Sequence, residues 1–102
     1  MSEWIEVRHE HKVPAMNGLF TFDGRVVEVF GFNDVHSVRL PVSLIEGAEL
    51  SFDKGLISQP SITFRGRGGG QGYTKAIDPP DELKPELESF AAAVTAAAVK
   101  SG

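Results

Sequence analysis

The sequence predicts a mostly β, α+β domain in which about seven short antiparallel strands precede a single C-terminal helix. Between residues 4 and 77, apolar and polar residues alternate in short runs separated by turn residues, which is the period of half-buried strands. From Leu83 onward the apolar residues recur every three or four positions, which is the period of one helical face. Strands first and one amphipathic helix last indicate a helix that packs on one end or face of a sheet system.

The clearest local signal is Asp23-Gly24, which lies between two alternating runs at residues 19–23 and 25–30. Asp-Gly suits a type I′ turn because both central residues of that turn need φ > 0. The alternation divides the apolar residues of this hairpin between two faces: Phe20, Phe22, Val27 and Val29 on one face, and Val26 and Phe30 on the other. The second face needs cover, either from the N-terminal segment or from another chain.

The other strand signals follow in chain order. One precedes the hairpin and four come after it, at residues 4–9, 36–40, 44–52, 61–65 and 73–77. Asp53-Lys54-Gly55 gives a second hairpin signal between the runs at 44–52 and 61–65. The number and spacing of the strands fit a sandwich or a small barrel.

The helix is expected at about residues 82–99. Pro79 and Pro80 end the preceding strand, and acidic residues crowd the first turn, where the helix dipole favours them. Pro85 is tolerated only near a helix start, so the regular helix should begin between residues 81 and 85. The predicted buried face consists of Leu83, Leu87, Phe90, Val94 and Ala97.

Length and composition favour one small domain inside the cell. The 102 residues divide into an N-terminal segment (1–16), a β core (17–77) and the helix, and 41% are hydrophobic. The absence of cysteine excludes disulfides and thiolate metal sites and fits a cytoplasmic protein. No apolar run approaches the ~20 residues of a membrane span, and the acidic N-terminus lacks the features of a signal peptide.

The charge is unevenly distributed. A net charge of −4 argues against general binding to nucleic acid or membranes. Residues 54–77, however, carry cations and no acid, whereas residues 78–88 are mostly acidic. Such runs are usually solvated faces. The alternative is that the basic hairpin binds an anion, a nucleic acid or a lipid headgroup, through Arg65, Arg67, Lys75 and Lys54.

Two sequence elements carry a family resemblance: Asn-Gly-x-x-Thr-Phe-Asp-Gly-x-x-Val at residues 17–27, and the run at 38–50 that precedes a basic strand and a Gly-rich loop. Over about residues 16–77 the chain resembles short pleckstrin-homology-like domains of unknown function in actinobacterial proteins. The resemblance implies two nearly orthogonal sheets with a C-terminal capping helix, and no established activity. The tight hairpin at residues 22–25 lacks the long basic loop of phosphoinositide-binding members, which disfavours inositol phosphates.

Sites for metal ions, phosphate and catalysis are not convincing. His9 and His11 have a spacing that zinc can use, but a stable site needs a third ligand such as His36 or Asp34. We therefore interpret them as exposed polar residues at the end of a strand. The glycine-rich run 66–72 lacks the Gly-Lys-Ser/Thr ending of a phosphate loop and is predicted to be a mobile hairpin loop. No catalytic triad is visible, so neither a metal, a cofactor nor an enzymatic activity is predicted.

These observations favour a non-enzymatic module that binds a protein or peptide, or self-associates. The expected mode is strand addition at a sheet edge, in the groove beside the C-terminal helix. Trp4 is predicted to be a core or lid residue, with a second role as a partner anchor. The residues assigned to a polypeptide partner are Phe30, Val26 and Trp4.

Overall fold

A computed structural model describes residues 4–32, 36–53 and 59–101. Within these ranges the chain forms seven strands and one α-helix, which confirms a mostly β, α+β architecture. The elements are β1 (Ile5–His9), β2 (Gly18–Phe22), β3 (Val26–Gly31), β4 (Val38–Pro41), β5 (Ile45–Ser51), β6 (Ser61–Gly66), β7 (Tyr73–Ala76) and α1 (Lys84–Ser101). None of the helices in these ranges is long and apolar enough to cross a membrane.

The strands form two antiparallel sheets. The first has the order β1-β2-β3-β4 and the second the order β5-β6-β7, so every strand neighbours the next one along the chain. The small barrel allowed by the strand spacing is wrong, because in the described ranges no strand of one sheet pairs with a strand of the other. Four strands are therefore sheet edges: β1, β4, β5 and β7.

The predicted alternation accounts for the core of both sheets. The inward-facing strand residues that are almost completely buried include Phe20, Phe22, Val27, Val29, Ile62 and Phe64. On the outer face of the first sheet, Phe30 pairs with Leu19 and Val26 pairs with Pro41. Both Phe30 and Val26 are half-buried, so the neighbouring strands supply part of the cover that we expected from elsewhere.

The helix begins where the prolines predicted. A 3₁₀ turn (Asp81–Leu83) leads into α1 at Lys84, and Pro85 is the second helical residue. The buried face consists of Leu83, Leu87, Phe90, Ala91, Val94 and Ala98. Ala98 is fully buried four residues after Val94, and the predicted Ala97 is partly buried and packs against the same core.

The turn between β2 and β3 has the predicted place but not the predicted type. Gly24 has a φ of 97°, whereas Asp23 is not in the left-handed region, so the type I′ assignment is wrong. Instead, Oδ1 of Asp23 accepts the backbone N–H groups of Arg25 (2.9 Å) and Val26 (2.8 Å). These hydrogen bonds, above all that from Val26, hold the pKa of Asp23 below the ordinary 3.8 because they favour the charged carboxylate.

Candidate functional site

Helix α1 lies beside an edge strand of each sheet. It packs extensively against β5 and more sparsely against β1, which is the outer strand of the other sheet. An edge strand presents backbone N–H and C=O groups that another strand can pair with, unless something covers them. The contacts that the helix makes with each edge therefore decide where a further strand can add.

The β5 edge is closed by the side chain of Thr95. The Thr95 hydroxyl accepts the backbone N–H of Ala48 at 3.0 Å and donates to the carbonyl of the same residue at 3.3 Å. A Cβ on Gly47 would lie only 3.2 Å from the Thr95 side chain, so this glycine permits the close approach of the helix. An added strand would need the backbone groups that Thr95 occupies, so the edge does not offer them at Ala48.

Arg67 links three elements on the same side of the molecule as Thr95. It follows β6, and its guanidinium donates to the carbonyls of Ser43 (3.1 Å), Ile45 (2.8 Å) and Ala98 (2.7 Å). Ala98 belongs to the last turn of α1, whose carbonyls have no partner within the helix. The residue predicted to bind an anion therefore ties the turn before β5, β5 itself and the helix together.

The glycine-rich loop turns closely upon itself and contacts β5 at its start. A Cβ on Gly66 would lie 2.2 Å from the carbonyl oxygen of Gly70, so only glycine fits there. The backbone N–H of Gly68 donates to Oε1 of Glu46 at 3.1 Å. With Arg67, these contacts join the start of the loop to its surroundings, whereas residues 68–72 are exposed, so the mobility of the loop stays a prediction.

The other predicted cations are engaged or lie outside the described residues. Arg65 Nη1 is 2.9 Å from Glu49 Oε1 in an exposed ion pair. Lys75 Nζ lies 5.1 Å from the ring centroid of Phe32. Lys54 lies outside the described ranges. The structure thus gives Arg65, Arg67 and Lys75 three different kinds of partner within the protein.

The β1 edge differs from the β5 edge because it borders an open groove. This groove, of about 290 Å³, lies between β1 and the first turns of α1. Its lining consists of Ile5, Glu6, Val7, Pro85, Glu86 and Ser89. The three helix residues are exposed, whereas Val7 is buried beneath the groove. The backbone N–H and C=O groups of residues 5–8 that point away from β2 have no partner in the described part of the chain that corresponds to Thr95 at Ala48.

Trp4 immediately precedes β1 and is 63% exposed, so of the two predicted places the core is wrong and the lid stays a prediction. The alternation of the strand puts Trp4, Glu6 and Arg8 on the outer face and their neighbours on the inner face. Arg8 Nε and Glu6 Oε2 are 3.0 Å apart on that outer face. The role of Trp4 as an anchor for a partner stays a prediction.

A network of hydrogen bonds made by two histidines holds the C-terminal end of β1. His9 is completely buried; its Nδ1 lies 2.7 Å from the carbonyl of Met16, and its Nε2 accepts the backbone N–H of Asp78 at 3.1 Å. These partners require the proton on Nδ1. His11 Nδ1 accepts the N–H of Val13 at 3.0 Å, and Nε2 donates to the Asp78 carboxylate at 2.8 Å. The prediction of exposed polar residues is therefore wrong for His9.

The histidine network bears on the zinc hypothesis. Both ring nitrogens of His9 and of His11 already have a hydrogen-bond partner. In the part of the chain that the structure describes, no three His, Asp or Glu side chains are grouped so as to hold a metal ion. Asp34, one of the two suggested third ligands, lies outside that part.

Sequence reasoning missed the residues that distinguish the two edges. Thr95 gave one usable signal, since it is a lone hydroxyl residue within the alanine-rich stretch 91–98. Glu86 and Ser89 gave none, because exposed polar residues near a helix start are common. Their place beside β1 depends on the packing of the whole domain.

Comparison with models of known protein families gives no match for this chain. Comparison with curated protein sequences gives none either. The resemblance of residues 16–77 to pleckstrin-homology-like domains therefore stays a hypothesis, and the geometry of the two edges is the basis for a functional proposal.

Proposed function

We propose that the chain is a non-enzymatic binding module of pleckstrin-homology-like architecture, which accepts an extended polypeptide segment as an added strand on β1. The open groove between β1 and α1 is the observation that carries this proposal. Two antiparallel sheets followed by one C-terminal helix support the architecture, because the family resemblance implies two sheets with a C-terminal capping helix.

Strand addition explains how such a groove would work. The outer N–H and C=O groups of β1 supply hydrogen bonds that do not depend on the partner's sequence. Alternate side chains of the added segment then meet the groove, where Ile5 and Pro85 offer apolar surface above the buried Val7. Trp4 stands at the start of the strand and adds a large exposed contact.

The anion-binding alternative has less support from the geometry. Arg67 donates to main-chain carbonyls of three elements, and Arg65 is paired with Glu49. A phosphate would have to compete with these internal partners. A non-enzymatic role and a cytoplasmic location remain predictions from the sequence.

The proposal is tested with an unbiased display library of short peptides, followed by titration of the enriched peptides into isotope-labelled protein. We expect the amide shifts to map to residues 5–9 and 86–89. Ser89→Tyr should fill the groove and weaken binding at least about tenfold, a change of 1.4 kcal/mol. Ala96→Tyr, at an exposed helix position that does not line the groove, is the matched control and should bind normally.

Two results would contradict strand addition at β1. One is that no peptide is enriched by a protein shown to be folded. The other is that enriched peptides shift amides of β5 or of residues 65–75 and bind equally well to the Ser89→Tyr variant.

A further inference from the structure

We infer that the segment added to β1 is β1 of a second copy of this chain, paired antiparallel about a two-fold axis at Val7. This inference rests on the proposed function, because it uses the same open edge and names its occupant. It would join two four-stranded sheets into one continuous sheet across a symmetric dimer.

The charge pattern of the strand is complementary to itself. With Val7 opposite Val7 of the second copy, Glu6 lies opposite Arg8 of that copy, and its own Arg8 lies opposite the other Glu6. Both side chains are on the outer face of β1, where they already attract each other within one chain at 3.0 Å. Oppositely charged pairs directly across antiparallel strands stabilise the pairing.

The same charges select the register. A shift of two residues in one direction puts Glu6 opposite Glu6, and a shift in the other direction puts Arg8 opposite Arg8. Like charges directly opposite each other are destabilising. A shift of one residue would place inward-facing side chains beside outward-facing ones. Pairing about Val7 is therefore the register that satisfies both the faces and the charges.

The groove adds to this preference. Glu86 lines it together with Glu6, so two acidic residues border the edge and favour an added strand that carries a cation. The Arg8 side chain is 67% exposed and can reach across the edge. An acidic strand without a cation would meet like charges at this edge, whereas β1 of a second copy brings Arg8.

The dimer should be weak. The strand has five residues, and Trp4, 63% exposed, would gain cover across from Glu10 of the second copy. An interface of this size falls below the about 1,200 Å² that characterises stable complexes. We expect reversible association in the micromolar range or weaker.

The test uses sedimentation equilibrium on the full chain, from micromolar to millimolar concentrations, with two charge variants. Glu6→Arg alone and Arg8→Glu alone each put like charges opposite each other and should weaken association at least about tenfold. A mixture of the two variants places cations across from anions and should associate as a heterodimer with about the wild-type affinity. High salt should weaken the heterodimer.

A second measurement needs no substitution. In a dimer of labelled and unlabelled wild-type chains, isotope-filtered NOEs should connect residue 6 of one copy to residue 8 of the other. Failure of this contact in a protein that does dimerise would overturn the inference, as would dimers that neither single variant affects.

The outcomes separate this inference from the proposed function. A wild-type chain that stays monomeric at millimolar concentration overturns the inference. If library peptides still shift the amides of residues 5–9, strand addition stands with a different occupant. If no peptide does so either, both proposals fail.

Discussion

The strands β1 and β5 border the same helix, yet only one of them is a closed edge. At β5, the Thr95 hydroxyl satisfies the N–H and C=O of Ala48. At β1, the helix leaves a groove lined by Pro85, Glu86 and Ser89. The difference teaches that a packed helix does not by itself close a sheet edge. Closure needs a polar side chain within hydrogen-bond distance of the exposed backbone.

The largest loss of stability is expected when Arg67, which links β5 to α1, is replaced. Arg67→Ala should lower the free energy of unfolding by about 3 kcal/mol, because it leaves part-buried carbonyls without a charged donor. These carbonyls belong to β5 and the last turn of α1. Arg65→Ala removes an exposed ion pair with Glu49 and should cost less than about 0.5 kcal/mol. Urea denaturation of the two variants gives the comparison, and equal losses would contradict it.

The next largest loss of stability is expected at His9, the buried last residue of the open edge strand β1. His9→Phe keeps an aromatic ring but leaves the carbonyl of Met16 and the N–H of Asp78 without their partner. The free energy of unfolding should fall by about 2 kcal/mol, the cost of buried polar groups left unsatisfied. His11→Phe, at a partly exposed position, should cost less. A stable His9→Phe variant with unchanged amide exchange in β1 would show that the network does not anchor this strand.

The sequence predicted the elements well because their signals are local. Phe20 and Phe22 alternate within one strand, and Pro85 limits the helix start within one turn. The contacts that distinguish the edges join residues far apart in the chain. Thr95 and Ala48 are 47 positions apart, Arg67 and Ala98 are 31 apart, and His9 and Asp78 are 69 apart.

The exposure and the partners of single residues are hard to predict from local signals for the same reason. The alternation around Trp4 indicates which residues share its face, but an edge strand can leave that face open, so the core assignment failed. Asp23 was assigned by its dihedral preference, whereas its side chain decides the turn through two hydrogen bonds. The sequence indicates Arg67 only as a cation of the basic hairpin, because its carbonyl partners come from three separate elements.

A smaller effect is expected when the closed edge is opened. Thr95→Val keeps the shape of the side chain but removes the hydroxyl from Ala48, at a cost of about 1 kcal/mol. The amide of Ala48 should then exchange with solvent faster, at a rate that approaches those of the outward amides of β1 in dilute solution. Thr95→Ser keeps the hydroxyl and is the control. If Ala48 exchange does not change in Thr95→Val, the closure lies elsewhere.

The smallest effect is expected at a turn that borders neither edge. Asp23 joins β2 to β3, and its pKa is below 3.8 because backbone N–H groups favour the carboxylate. The charge therefore stabilises the fold above the unfolded-state pKa, and this contribution is lost as the pH falls through the lower folded-state value. Asp23→Asn keeps an acceptor, so it should be less stable than wild type at neutral pH by at most about 0.5 kcal/mol, since the site is exposed. In denaturation curves this gap should vanish in acid; a gap that persists there would assign it to the turn geometry instead.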